Sequence, residues 1–243
     1  MAAVMEQGIV IETSLAPPVT VVMLHGYAMQ PEELAPFVHS MGVPGRFLLL
    51  RGPKVAWPSG RAWWSVDTEV RAADQAAGAR DLAFSDPPGR AEVRQQLAEI
   101  LRLERARDPS RPCVLAGFSQ GGMLACDTLL YEDVSVDGLA LLSSSCIDFN
   151  GWHPRRAKLQ GLKAMVAHGR HDADLAFSAG ERLRDLLMDS GASIAWVPFD
   201  GGHQIPLPVW RALRRLIRSF AASPSDPATA AHIGEGFAPA PPI

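Results

Sequence analysis

Short apolar runs alternate along this chain with longer segments of mixed polarity, and the two patterns predict different elements. Residues 19–24 (VTVVML), 47–50 and 112–118 (PCVLAGF) are nearly continuous apolar stretches of strand length. A strand takes this composition when both faces of its sheet are covered. Residues 138–142, 164–168 and 193–199 follow the same pattern, and residues 8–13 predict a further strand at a sheet edge. Between these runs, Val93, Leu97, Ile100, Leu101 and Leu103 fall near helical spacing, which predicts a long amphipathic helix over 89–107. A helix is also predicted from Pro31, because a proline ring suits a first helical turn. Others are predicted over 120–131, 177–190 and 206–221, the last with Trp210, Leu213, Leu216, Ile217 and Phe220 on one side. Residues 52–67 are rich in Pro, Gly and Trp and predict a loop.

Strands alternating with helices predict an α/β fold: a mostly parallel sheet with helices on both faces. Sites in such sheets lie at the C-terminal ends of the strands. A chain of 243 residues fits one such domain, assigned to residues 1–222. Residues 223–243 are rich in Ala and Pro, lack periodicity and predict a flexible tail. The connection after Leu142 has only about twenty residues before the next strand, room for a loop and one helix but no cap domain. An open site is therefore expected.

Composition narrows the function. The formal charge is −3 and no Lys/Arg-rich run occurs, so nothing points to nucleic acid or an anionic membrane. The three cysteines, Cys113, Cys126 and Cys146, have neither CxxC nor zinc-site spacing. They are expected to be small buried hydrophobes in a reducing compartment. The N-terminal residues lack a basic region followed by an apolar core, and no apolar run is long enough to cross a membrane. These features predict a cytoplasmic enzyme without membrane insertion.

The sharpest motif is Gly117-Phe118-Ser119-Gln120-Gly121, followed by Gly122. It stands directly after a predicted buried strand and directly before a predicted helix, the context required of the G-x-S-x-G nucleophile turn of α/β-hydrolases. The serine must sit in a tight turn so that its hydroxyl stands clear of the backbone, and flanking glycines allow strand and helix to approach. A serine hydroxyl needs a base to take its proton. The partners in that fold follow in the order Ser, acid, His. Of the seven histidines, His203 alone follows the last strand and precedes the last helix. The acid should follow the strand over 164–168, which makes Asp172 the first choice and Asp174 the second. Asp200, close to His203, is a third candidate, expected instead to shape the turn. The acid would accept the second ring N–H of His203 and hold its tautomer. The oxyanion that forms needs preorganised donors. The backbone N–H groups of Gln120 and Tyr27 are the candidates, and His25 is expected to be a structural hydrogen-bonder beneath that loop.

Four pieces together resemble the phospholipase/carboxylesterase family, which includes acyl-protein thioesterases and small bacterial carboxylesterases. They are Leu24-His25-Gly26, the run GFSQGG at 117–122, HGxxD at 168–172 and GGH at 201–203. The segment RGP…GRAWWSVD at 51–67 is similar to a loop of that family. The resemblance implies an α/β-hydrolase fold and an esterase free of metal and cofactor, with a triad of Ser119, Asp172 and His203. Family members often form dimers, so a homodimer is one assembly it implies. Tyr27, Ala28-Met29-Gln30 and Ala173 depart from the family's usual residues, and these departures bear on the acyl pocket. Trp63, Trp64, Leu175 and Ile205 are expected to line the substrate site, because aromatics often line pockets and these residues flank the motifs; the alternative for Trp63 and Trp64 is that they pack under the loop and hold it. The expected reaction is hydrolysis of small to medium acyl esters, a small-molecule substrate. The alternatives are an acyl-thioesterase or lysophospholipase acting on long chains, and a non-catalytic binding scaffold.

Overall fold

The computed structural model describes residues 8–56 and 59–221. Trp57 and the predicted tail at 223–243 lie outside the described residues. In chain order the elements are β1 (Ile9–Glu12), β2 (Thr20–Leu24), α1 (Ala35–Met41), β3 (Arg46–Leu50), β4 (Lys54–Ala56), β5 (Gly60–Ala62), α2 (Thr68–Ala77) and α3 (Arg90–Arg107). Then come β6 (Cys113–Phe118), α4 (Gln120–Tyr131), β7 (Gly138–Leu142), α5 (Phe149–Arg155), β8 (Lys163–Gly169), α6 (Phe177–Asp189), β9 (Ser193–Phe199) and α7 (Leu207–Ala221).

Seven strands form one sheet in the order β1-β3-β2-β6-β7-β8-β9. Every pairing is parallel except the antiparallel β1 at the edge. The apolar runs are central because all residues of β2, β6 and β7 are buried. Edge strand β1 instead alternates half-buried and exposed residues, as a strand with one covered face should. Two cores lie on opposite faces. One joins the sheet to α3, α4 and α6 through Leu97, Leu124, Leu183 and their neighbours. The other joins it to α1 and α7 through Val38, Leu213 and Ile217. Trp210, Leu213, Leu216 and Ile217 of α7 are buried, each worth about 1.5–3 kcal/mol over exposure.

The sequence-based elements differ from the structure in four places. The helix expected at Pro31 begins as a 3₁₀ turn, Pro31–Leu34, before α1. The loop over 52–67 contains the short hairpin β4–β5. Helix α2 follows it, capped by the Asp67 carboxylate, which accepts the N–H groups of Glu69 and Val70. Leu103 faces solvent rather than the core of α3. The connection between β7 and β8 holds α5 and a 3₁₀ turn, Arg156–Leu159, and no cap domain.

Candidate active site

The central strands deliver their C-terminal ends to one edge in register. Leu24 of β2 lies beside Gly117 of β6, and Phe118 beside Leu142 of β7. The chain then turns sharply at Ser119, whose backbone has φ 52° and ψ −118°. A non-glycine residue with positive φ is held there at a cost, and such strain is a mark of functional turns. The Ser119 N–H is fixed by Leu142 O at 2.8 Å. Glycine is obligatory on both sides of the turn. A Cβ on Gly117 would lie 2.3 Å from Gly121 O, and one on Gly121 would lie 2.5 Å from Leu24 O.

The turn brings Ser119 to His203. The Ser119 hydroxyl donates to His203 Nε2 at 3.0 Å, and His203 Nδ1–H donates to Asp172 Oδ2 at 2.7 Å. The other carboxylate oxygen, Asp172 Oδ1, accepts the N–H groups of Asp174 and Leu175, both at 2.9 Å. Asp172 is buried, so its two oxygens have fixed and different tasks. The Phe118 ring lies tilted against the imidazole of His203 at 4.9 Å. Beneath the carboxylate, buried His168 donates from Nε2 to Leu175 O at 3.0 Å, with the same nitrogen 3.5 Å from Asp172 Oδ2. Burial holds His168 below the usual histidine range. It supports the loop from Asp172 to Leu175, a contact that sequence reasoning passed over.

The runner-up acid has a different set of partners. Asp174 receives Arg71 Nη2 at 2.6 Å, Gln75 Nε2 at 2.8 Å and Arg80 Nη2. Burial works against its charge, but the hydrogen bond from Arg80 and the charge of Arg71 prevail and hold its carboxyl below the usual range. It does not cap α6, whose N-cap is Ala176 with no side-chain bond. Asp200 pairs with His171 Nε2 at 2.7 Å on the surface, away from the imidazole of His203.

On the other side of Ser119, Gln120 contributes more than its backbone. Its N–H opens α4, where helix donors have no intrahelical partner. Its buried side chain accepts the Trp63 N–H at Oε1 (2.9 Å) and donates from Nε2 to Trp64 O (3.1 Å). Trp63 Nε1–H in turn donates to His25 O at 2.8 Å, and its ring stacks on His25. His25 is fully buried and bonds Gly26 O from Nδ1 and Gly52 N–H at Nε2, the structural role expected of it. Burial lowers its pKa to about 4. Tyr27 follows, half-buried, with the Arg71 guanidinium 4.8 Å from its ring centre.

Three of the four expected substrate-lining residues are not at the surface. Trp63, Trp64 and Leu175 are 0%, 3% and 1% exposed and belong to the core. The two tryptophans are held by the Gln120 side chain, which bonds the Trp63 N–H and Trp64 O beside the turn at Ser119. Leu175 is turned inward because Asp172 binds its N–H. Ile205 is half-buried two residues after His203. Arg71, Gln75 and Arg80 were absent from the sequence-based site. The N-cap Asp67 was the available signal that a helix would carry Arg71 and Gln75 there.

The sequence profile of the family described as Phospholipase/Carboxylesterase matches residues 5–219. The chain belongs to the phospholipase/carboxylesterase family. Its members are serine hydrolases of carboxylic esters and thioesters. A curated relative, acyl-protein thioesterase 1 of Mycosarcoma maydis, is 30% identical over 136 residues, 49% of this chain and 52% of that protein. The chain thus spans about half the length of that relative. Two solved structures have the same fold. Esterase PE8 has 21% identity and a TM-score of 0.73 over 88% of this chain and 98% of its own. The carboxylesterase of Bacillus cereus has 19% identity and a TM-score of 0.68 over 90% and 95%. The GFSQGG and HGxxD runs that carried the resemblance are the turns that hold Ser119 and Asp172.

Proposed function

We propose that this protein hydrolyses small to medium carboxylic esters by two-step acyl transfer, with Ser119, His203 and Asp172 as its triad. The observation that carries this reading is the unbroken hydrogen-bond path from Ser119 Oγ through both nitrogens of His203 to Asp172. His203 takes the Ser119 proton as Oγ attacks the carbonyl carbon, and the N–H groups of Gln120 and Tyr27 receive the oxyanion. His203 then protonates the departing alcohol, and water activated by His203 cleaves the acyl-enzyme. Asp172 holds Nδ1–H and stabilises the imidazolium. The lack of a cap between β7 and β8 supports an open site and soluble substrates.

A thioester substrate is the second reading, favoured by the match to a protein named acyl-protein thioesterase. The chemistry at Ser119 is the same, so chain length and leaving atom decide between them. Parallel hydrolysis of butyryl and palmitoyl esters and thioesters tests this. Activity confined to palmitoyl thioesters would replace the first reading with the second. We place the enzyme in the cytoplasm, since Cys113, Cys126 and Cys146 are free and buried and no helix among the described residues is long and apolar enough to cross a membrane.

A further inference from the structure

Beside the proposed triad lies a charged cluster that the mechanism does not use. Asp174 Oδ2 is 3.8 Å from His203 Nε2, the nitrogen that faces Ser119. The same oxygen receives Arg71 Nη2 at 2.6 Å, so a single carboxylate oxygen stands between this guanidinium and the reacting nitrogen. Arg80 binds the other oxygen of Asp174. Two arginines share one carboxylate, which leaves the cluster with an excess of positive charge. Nε of each arginine is buried with no hydrogen-bond partner, so an incoming anion would have to meet their Nη groups, on side chains 24% and 14% exposed. Arg71 also faces the ring of Tyr27, whose N–H is the proposed oxyanion donor. It stands on α2, a helix with no buried residue, so the fold core does not depend on it.

The position of the cluster determines which half of the substrate it meets. The leaving oxygen must come within hydrogen-bond reach of His203 Nε2 to be protonated. A group 3.8 Å from that nitrogen therefore neighbours the alcohol or thiol side. An uncharged alkyl group there would desolvate the arginines without replacing their water. An anion would instead accept charge-assisted hydrogen bonds from their remaining Nη groups. Resting on the esterase reading above, we propose that Arg71 and Arg80, tethered by Asp174, recognise an anionic group, carboxylate or phosphate, on the leaving-group half of the substrate.

The test compares three butyrate esters: the anions 3-(butyryloxy)benzoate and 3-(butyryloxy)phenyl phosphate, and neutral methyl 3-(butyryloxy)benzoate. The readout is the ratio of kcat/KM for each anion to that for the neutral ester. Loss of one charge-assisted contact is worth on the order of tenfold. Arg71→Met should lower the ratio at least threefold, whichever anion shows the greater fall being the preferred one. Arg80→Met should lower it as well. Each change is read against wild type, which cancels differences in leaving-group reactivity. A ratio that moves less than threefold in both Arg71→Met and Arg80→Met for both anions overturns the proposal. A structural clasp would move all three esters together and leave the ratio unchanged. Failure of wild type to hydrolyse any of the three, with Ser119 unreactive toward a fluorophosphonate, is instead a failure of the esterase reading.

Discussion

Asp172→Asn separates the two roles of one buried carboxylate. In the native protein Oδ1 accepts the N–H groups of Asp174 and Leu175, and Oδ2 accepts Nδ1–H of His203. An asparagine keeps the two backbone donors only if its carbonyl oxygen takes the Oδ1 place. Its NH₂ must then face His203 Nδ1. The ring can accept there only by moving its proton to Nε2, and in that tautomer it can no longer take the proton of Ser119. The fold should survive, because the side chain keeps its shape and the loop its two bonds. The chemistry should not. The same substitution in a serine protease triad costs about 10⁴-fold in kcat, which at 1.36 kcal/mol per decade is about 5 kcal/mol of transition-state stabilisation. The assay is kcat/KM for p-nitrophenyl butyrate beside a urea unfolding curve. A variant that is folded but within tenfold of wild type would refute the assignment of Asp172. A greater loss in Asp174→Asn would assign the role to the other carboxylate.

Other consequences follow from buried groups. Gln120→Leu leaves the Trp63 N–H and Trp64 C=O without partners and should cost about 2–4 kcal/mol of stability by chemical denaturation. Asp127→Ala removes the fully buried partner of Arg90, Arg94 and the Trp152 indole N–H, and should cost about 3–5 kcal/mol. His25 sets a pH dependence. Its folded pKa, lowered to about 4, lies below its unfolded value near 6.5. The unfolded chain therefore binds the proton first as pH falls through 6.5, and stability present above that pH declines until about pH 4. Between pH 7 and 5 the loss should be about 2 kcal/mol, read from urea midpoints, and His25→Gln should remove that part of the slope. A slope unchanged in the variant would mean that another group is responsible.

The alternation of apolar runs with helical periods made the sheet legible, because central strands covered on both faces have no polar positions. The tight turn at Ser119 was legible for a related reason. Only glycines fit where strand β6 and helix α4 cross, so the pattern around Ser119 is a steric requirement. Helix α2 left no such pattern, since it buries no residue and is held by its Asp67 cap and by the bonds of Arg71 and Gln75 to Asp174. The different partners of Asp172 and Asp174 were only partly legible. Both stand on one short loop, and what distinguishes them is Arg71 and Arg80, residues 103 and 94 positions away in the chain. The burial of Trp63 and Trp64 was not legible, for a physical reason. A tryptophan in a loop beside a site can line it or support it from below, and the Gln120 side chain decides for support. That contact depends on a rotamer that no sequence spacing encodes.

The central claim is that Ser119 is the nucleophile of an ester hydrolase. It is tested most directly by hydrolysis of p-nitrophenyl esters from acetate to palmitate by wild type and Ser119→Ala in parallel. The account predicts turnover that peaks at short to medium chains and falls by about 10⁶-fold in the variant, as in triads of this type. Hydrolysis by folded Ser119→Ala at a rate near that of wild type would contradict it.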